Sequence, residues 1–148
     1  MPRRPLVAIH AAAGALAFLI ILGFEAVTIG VEASGRGASI AAVRTGILYV
    51  LPVLIGLLMT AGATGCVMAG ARPAGLVAQK QRRMMLVAAN GALILGPAAV
   101  FLAWKAWAGA FDTTFVVVQA AEMIFGLLNL ALLGLSLRDG MRLTGRLA

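Results

Sequence analysis

Apolar residues fill four long stretches of this chain, and short polar segments separate them. The stretches cover about residues 6–31, 45–70, 84–110 and 113–137. Each has about 25 residues, more than the ~20 that a helix needs to cross ~30 Å of hydrocarbon. None alternates with the period of two that a membrane-spanning strand needs, and only a helix satisfies its own backbone hydrogen bonds in lipid. The pattern predicts an all-α membrane protein, a four-transmembrane-helix antiparallel bundle that forms one domain over residues 1–148.

The segments between the stretches contain residues that end, begin or bend helices. The turn sequence ARPAG around Pro73 is expected to end the second helix. Asp112, followed by two threonines, favours a helix N-cap, and this connection is short enough to make the third and fourth helices antiparallel neighbours. Residues 31–44, rich in glycine, serine and alanine, are expected to form a loop at the membrane surface. Pro52 and Pro97 each remove one backbone hydrogen bond, which predicts kinks in the second and third helices.

Composition excludes a single soluble core and gives no sign of an enzyme. The 148 residues are 62% hydrophobic and 11% charged, with a mean hydropathy of +1.03. Soluble domains are closer to half apolar and a quarter charged. The sequence has no HExxH, phosphate-binding loop, dinucleotide fingerprint or Ser–His–Asp set, so no catalytic residue is predicted. The single cysteine, Cys66, excludes an intrachain disulfide and a cysteine-based metal cluster.

The net charge of +7 is distributed unevenly between the two ends of the predicted bundle. Nine basic residues fall at the end with both termini: Arg3, Arg4, Arg72, Lys80, Arg82, Arg83, Arg138, Arg142 and Arg146. The other end has Arg36, Arg44 and Lys105, so the positive-inside rule predicts that both termini are cytoplasmic. Lipid headgroups are the expected partners of Arg82, Arg83, Arg138, Arg142 and Arg146. Nucleic acid is not an expected partner, because no aromatic residues interleave with the basic ones.

The first stretch is also compatible with a cleaved signal peptide, because two arginines precede its apolar run. That run is longer than the usual ~7–15 residues of a signal peptide, and no convincing cleavage site follows it. An uncleaved first helix is therefore the expectation.

Polar residues inside the stretches are spaced so that they share helix faces. Gln119, Glu122, Gly126 and Asn129 fall within ~80° of one another on a helix, and a stripe with a central carboxylate cannot face lipid. His10 and Glu25, like Asn90 and Lys105, are fifteen residues apart, which returns each pair to within ~60° of one direction. The predicted intramembrane polar cluster is Glu25, Lys105, Gln119, Glu122, Asn129 and Asn90. Lys105 is the expected partner of Glu25 or Glu122, and Glu122, as the deepest, is the expected neutral carboxyl.

These residues leave several functions open. Polar residues between membrane helices often only fix their packing, but Glu25, Glu122, Asn129 and His10 also fit a proton or ion relay. His10 is a possible haem or metal ligand. With one histidine, bis-histidine ligation within a monomer is impossible, which leaves a histidine–methionine pair, a five-coordinate haem or a histidine pair across a dimer. The expectation is that no cofactor is bound, with b-type haem as the alternative.

Three segments carry a resemblance to known proteins: IHAAAG at residues 9–14, KQRRMMLVAANG at 80–91 and QAAEMIFGLLNLALLGLSLRDGMRLTGR at 119–146. They resemble small four-helix bacterial inner-membrane proteins of uncharacterised function. The first half, with His10 and Arg44, is also loosely similar to copper-resistance proteins of the CopD type. The first resemblance implies a multi-pass protein of the bacterial inner membrane, and neither implies a catalytic site.

Together the patterns favour a non-enzymatic accessory, assembly or stabilising subunit of a larger membrane complex. Small residues at spacings of four and the very short connections support this hypothesis, because close packing drives helix association in lipid. Other membrane-protein subunits or further copies of this chain are the expected partners, besides the bilayer. The alternative is a small redox or proton-coupled membrane protein that uses His10 and the intramembrane carboxylates.

Overall fold

Four long helices make up the protein. The structure is a computed structural model that describes residues 3–71 and 73–145. The helices are α1 (Arg3–Ser34), α2 (Gly37–Ala69), α3 (Gly75–Trp107) and α4 (Thr113–Leu143). Each is long and apolar enough to cross a membrane, and the described residues contain no strand. The predicted four-helix bundle is confirmed, and the chain is a multi-pass integral membrane protein.

Five of the eight helix ends extend beyond the predicted apolar stretches. The predicted loop at residues 31–44 is wrong, because α1 continues to Ser34 and α2 begins at Gly37. Likewise α3 begins at Gly75 rather than near residue 84, and α4 continues to Leu143 rather than ending near 137. Hydropathy marks the part of a helix that lies in hydrocarbon, whereas alanine, glutamine, lysine and arginine continue a helix into water.

Both prolines predicted to bend helices lie inside helices that continue through them. In α3 a π-helical turn, Gly91–Leu95, comes immediately before Gly96 and Pro97. The N–H of Gly96 donates to the carbonyl of Gly91, five residues earlier. A proline ring collides with the carbonyl four residues before it in a regular α-helix, and a wider turn accommodates that ring. In α2, Pro52 lies within the unbroken helix Gly37–Ala69.

Two apolar clusters fill the bundle, one toward each end. The cluster nearer the termini contains Ala17, Ile21, Leu54, Val87, Leu130 and Leu133. The cluster nearer the opposite end contains Ile40, Leu102, Ala106 and Phe115. Helix α1 packs against α2 and α4, while α2 packs mainly against the C-terminal part of α3, Gly96–Trp107, and only sparsely against its N-terminal part, Gly75–Asn90. The N-terminal part of α3 is therefore largely separated from α2.

Candidate functional site

An ion pair between α2 and α4 lies at the centre of the site. Arg44 is 2% exposed, and one of its guanidinium nitrogens donates to Glu122. The other, Nη2, donates to Oε1 of Gln119 at 3.0 Å. Both contacts are charge-assisted, which makes them stronger than hydrogen bonds between neutral groups. Helix α4 supplies the carboxylate and the amide from adjacent turns of one face, so the long side chain of Arg44 links α2 to α4 across the bundle.

The sequence pattern predicts that Arg44 is the last residue of a surface loop, and it does not indicate this role in an ion pair. Because α2 begins at Gly37, Arg44 lies two turns inside the helix. It shares the buried face of α2 with Ile40, Ile47 and Leu54, and the successive spacings along residues 40, 44, 47 and 54 are four, three and seven. That spacing was the available signal, and it becomes visible only when the helix is extended to residue 37.

The predicted partner of Lys105 is wrong. Lys105 forms an ion pair with Asp112 at the end of the bundle opposite the termini, and not with Glu25 or Glu122. Lys105 lies in the last turn of α3, where its long side chain reaches the end of the helix. The helix C-terminus carries a partial negative charge, which stabilises the positive charge of the lysine. Asp112 is the N-cap of α4, as predicted, and its Oδ1 accepts from the N–H of Phe115 at 3.0 Å. The hydrogen bond from Lys105, and then that from Phe115, lowers the pKa of Asp112.

Glu25 approaches the same region from α1. Its carboxyl group rests on the backbone of α4 at Gly126, where an added Cβ atom would lie 2.9 Å from the Glu25 Cδ. Among the described residues Glu25 belongs to no ion pair, and its buried Oε2 has no hydrogen-bond partner. An unpaired buried carboxylate is unstable as an anion. Glu25 is therefore the site's unsatisfied acidic group.

Two neutral pairs lie closer to the termini. Nδ2 of Asn90 donates to Oδ1 of Asn129 at 2.8 Å and to the carbonyl of Phe125 at 2.9 Å, which joins α3 to α4 just before the π-helical turn. On the other side of the bundle, Nδ1 of His10 lies 2.9 Å from the carbonyl of Ala61 and 3.2 Å from Oγ1 of Thr64. Five of the six residues of the predicted cluster are thus divided among three separate contacts, with Arg44, with Asp112 and between Asn90 and Asn129, and Glu25 takes part in none of them.

A cavity of about 640 Å³ lies between the four helices. Most of its lining is apolar, and the polar lining residues are Glu25, Thr28, Glu122 and Asn129. Lys105, Gln119, Asn90 and His10 do not line it. Ile55, Met59 and Val100 line it and are also exposed on the outer surface of the bundle. The cavity therefore opens sideways, between α2 and α3, toward the region that lipid occupies.

The position of His10 does not fit a haem in this cavity. The imidazole packs between α1 and α2, and an added Cβ on Gly65 would lie 3.2 Å from its Cε1. Because His10 is not part of the cavity lining, a macrocycle there would have no imidazole ligand. In the described part of the chain, no group of three or more His, Cys, Asp or Glu side chains is arranged to hold a metal ion.

The end with both termini contains a third ion pair. Arg83 on α3 pairs with Asp139 on α4, which is 1% exposed, and Nε of Arg138 lies 3.8 Å from Oδ1 of Asp139. Arg83, predicted to bind a headgroup, is therefore engaged by a carboxylate of the protein. Arg72, Arg146 and the side chain of Arg3 lie outside the described residues. The headgroup contacts of Arg82, Arg138 and Arg142 stay predictions.

No protein-family model matches this chain, no curated protein is detectably similar to it in sequence, and no solved structure is detectably similar to it in fold.

We expect Asn129→Leu to lower the free energy of unfolding by roughly 0.6–2 kcal/mol, the range for hydrogen bonds between membrane helices. The substitution removes the acceptor of Asn90 in a position that is 1% exposed. Thermal unfolding in detergent measures the loss, and Leu127→Ala, on the exposed face of the same helix, is the control. In a double-mutant cycle with Asn90→Leu, additive losses would show that the two amides are not coupled.

Proposed function

We propose that this protein is a non-enzymatic, multi-pass protein of the bacterial inner membrane that binds a small amphipathic molecule inside its helix bundle. One observation carries the proposal: a mostly apolar cavity of about 640 Å³ contains a carboxyl group, Glu25, with an unpartnered buried oxygen. Binding of the molecule is linked to proton exchange at this carboxyl group. This function is a form of the proton-coupled alternative, with Glu25 as the carboxyl group that exchanges the proton.

The size and lining of the cavity support binding of a small molecule. Ligand sites in proteins commonly have volumes of roughly 300–1,000 Å³, with apolar walls and a few polar groups that orient the ligand. The sideways opening between α2 and α3 provides a path from the bilayer, where an amphipathic molecule concentrates. This path needs no water-filled channel through the bundle.

Only part of the predicted relay contributes to the proposal. Glu122 has a guanidinium partner, so its charge is compensated inside the bundle. His10 lies outside the cavity lining, and Asn129 is engaged with Asn90. Glu25 is the remaining acidic group of the predicted relay, which assigns the proton exchange to α1.

Photolabelling tests whether the cavity binds a ligand. The purified protein in lipid nanodiscs is labelled with a neutral long-chain alcohol that carries a diazirine, and modified peptides are identified by mass spectrometry. We expect saturable labelling near Met59, Met84 and Met123, which line the cavity from three helices. Labelling that only rises in proportion to the probe would contradict binding, because that behaviour reports contact with bulk lipid.

Two glycines of α2 supply a matched pair of variants for this test. An added Cβ at Gly62 or Gly56 would meet no atom within 4 Å, so both positions of α2 have room for a larger side chain. Gly62 lines the cavity and Gly56 does not. Gly62→Phe should abolish the saturable labelling, while Gly56→Phe should retain it. Equal labelling of the two variants would mean that the probe binds elsewhere.

A second candidate, the accessory-subunit hypothesis, is favoured by the outer face of α2. Small exposed residues lie on this face in two groups, Ala42 with Gly46 and Gly56 with Thr60 and Ala63, and the exposed side chains of Tyr49 and Val53 separate the groups. Added Cβ atoms at Gly46 and Gly56 would meet nothing, so another helix has room to approach closely. Purification in mild detergent tests the hypothesis, because a subunit brings a stoichiometric partner. Recovery alone or as a homo-oligomer would contradict it and fit a self-sufficient binding protein.

A further inference from the structure

We infer that the ligand of this cavity is an amphipathic monovalent cation, whose charged group takes the place of the proton on Glu25. The inference rests on the proposed function and specifies its ligand class. Two carboxyl groups line it, Glu25 and Glu122, and no basic side chain of the described residues does.

The nearest basic group is already engaged. Arg44 is 2% exposed, and its two terminal nitrogens are bound to Glu122 and Gln119. It therefore compensates Glu122, and one carboxyl group is left without a counter-charge. An anionic ligand would meet this uncompensated carboxyl group, whereas a cation would neutralise it.

The helices packed around Glu25 provide no other titratable partner. Helix α2 contributes Arg44 and α4 contributes Glu122, and both are accounted for by their mutual ion pair. The cavity-lining residues of α3 are all uncharged. The basic residue Lys105 of this helix pairs with Asp112, at the end of the bundle opposite the termini. A buried carboxyl group in this position must hold a proton or face a cation.

The apolar lining suits the body of such a cation. Phe24 is an aromatic residue of the cavity lining, and aromatic faces attract cations that have lost their water. Met59, Met84 and Met123 line the wall from α2, α3 and α4. Methionine side chains adapt to ligands of different shapes, so the cavity is expected to accept a range of hydrophobic cations.

The exchange balances in charge and atoms. The protonated carboxyl group of Glu25 releases one proton when the cation binds, and the cation then faces the carboxylate. No bond of the ligand breaks and no electron is transferred. The stoichiometry is one proton released for each cation bound.

Three competitors of similar shape test the ligand class against the photoreactive alcohol in nanodiscs. They are the tetraphenylphosphonium cation, the tetraphenylborate anion and neutral triphenylphosphine oxide, a hydrogen-bond acceptor. We expect the cation to displace the alcohol from the cavity at a concentration at least about tenfold lower than the other two, the lower limit for a close charge pair. A pH indicator in weakly buffered solution should report one proton released per bound cation.

Variants of α1 assign the preference to Glu25. Glu25→Gln should still bind the photoreactive alcohol but lose the preference for the cation and the proton release. Glu25→Asp should keep both, and Glu32→Gln, the same change seven residues further along α1, should behave like the unchanged protein. Saturable labelling that the neutral acceptor displaces best, without proton release, would overturn the cation inference while leaving the proposed function intact. Absence of saturable labelling in the unchanged protein would overturn both.

Discussion

Arg44→Met is expected to lower the free energy of unfolding by about 3–5 kcal/mol, the cost of removing one partner of a buried ion pair. The substitution leaves Glu122 inside the bundle without its guanidinium, and Gln119 without its donor. Methionine keeps an unbranched apolar stem of similar reach, so the loss reports the charge rather than a cavity. Unfolding by a denaturing detergent, titrated into a mild one, measures the difference.

Two further variants separate the ion pair from other effects of the substitution. Arg36→Met changes an exposed arginine at the start of the same helix, and we expect a change within about 0.5 kcal/mol. Arg44→Met combined with Glu122→Leu should recover most of the lost stability, because the uncompensated carboxylate is then absent. A double variant as unstable as Arg44→Met alone would mean that Arg44 stabilises the bundle through packing and not through Glu122.

Gly126→Ala is expected to remove the preference of the cavity for cations while leaving the stability of the bundle almost unchanged. The new methyl group would overlap Oε1 of Glu25 and lie 2.9 Å from its Cδ, a distance that is too short for two atoms that are not bonded to each other. The carboxyl end of a glutamate is flexible, so it moves to another rotamer at small cost. Glu25 is then displaced from the cavity wall, and the cation should bind at least about tenfold more weakly in the competition assay.

Gly134 on the same helix supplies the matched control. An added Cβ there would lie 3.7 Å from Cε2 of Phe18, which is an ordinary van der Waals distance. Gly134→Ala should therefore keep both stability and cation preference. If Gly126→Ala instead destabilised the bundle as strongly as Arg44→Met, the close approach of α1 to α4 would be a rigid packing contact, and Glu25 would not be free to move.

Some features of the site can be predicted from nearby residues in the sequence, and others cannot. The N-cap at Asp112 is a local feature, because the side chain and the N–H of Phe115 that it accepts from are three residues apart. The polar stripe of α4 is also local, and Gln119 and Asn129 lie inside the bundle, at 8% and 1% exposure. The partner of Glu122 is not local. It depends on how α2 is rotated about its axis and on how far that helix extends beyond hydrocarbon.

The sequence alone is enough to predict the four membrane spans, because the thickness of hydrocarbon and the need to satisfy the backbone act on each segment separately. It also determined that polar side chains turn inward, since lipid offers them no partner. Two contacts come only from the folded bundle: Arg44, and not Lys105, meets Glu122, and Glu25 faces a cavity. Those contacts join helices distant in the chain, and hydrophobic periodicity does not set the rotation or separation of one helix relative to another.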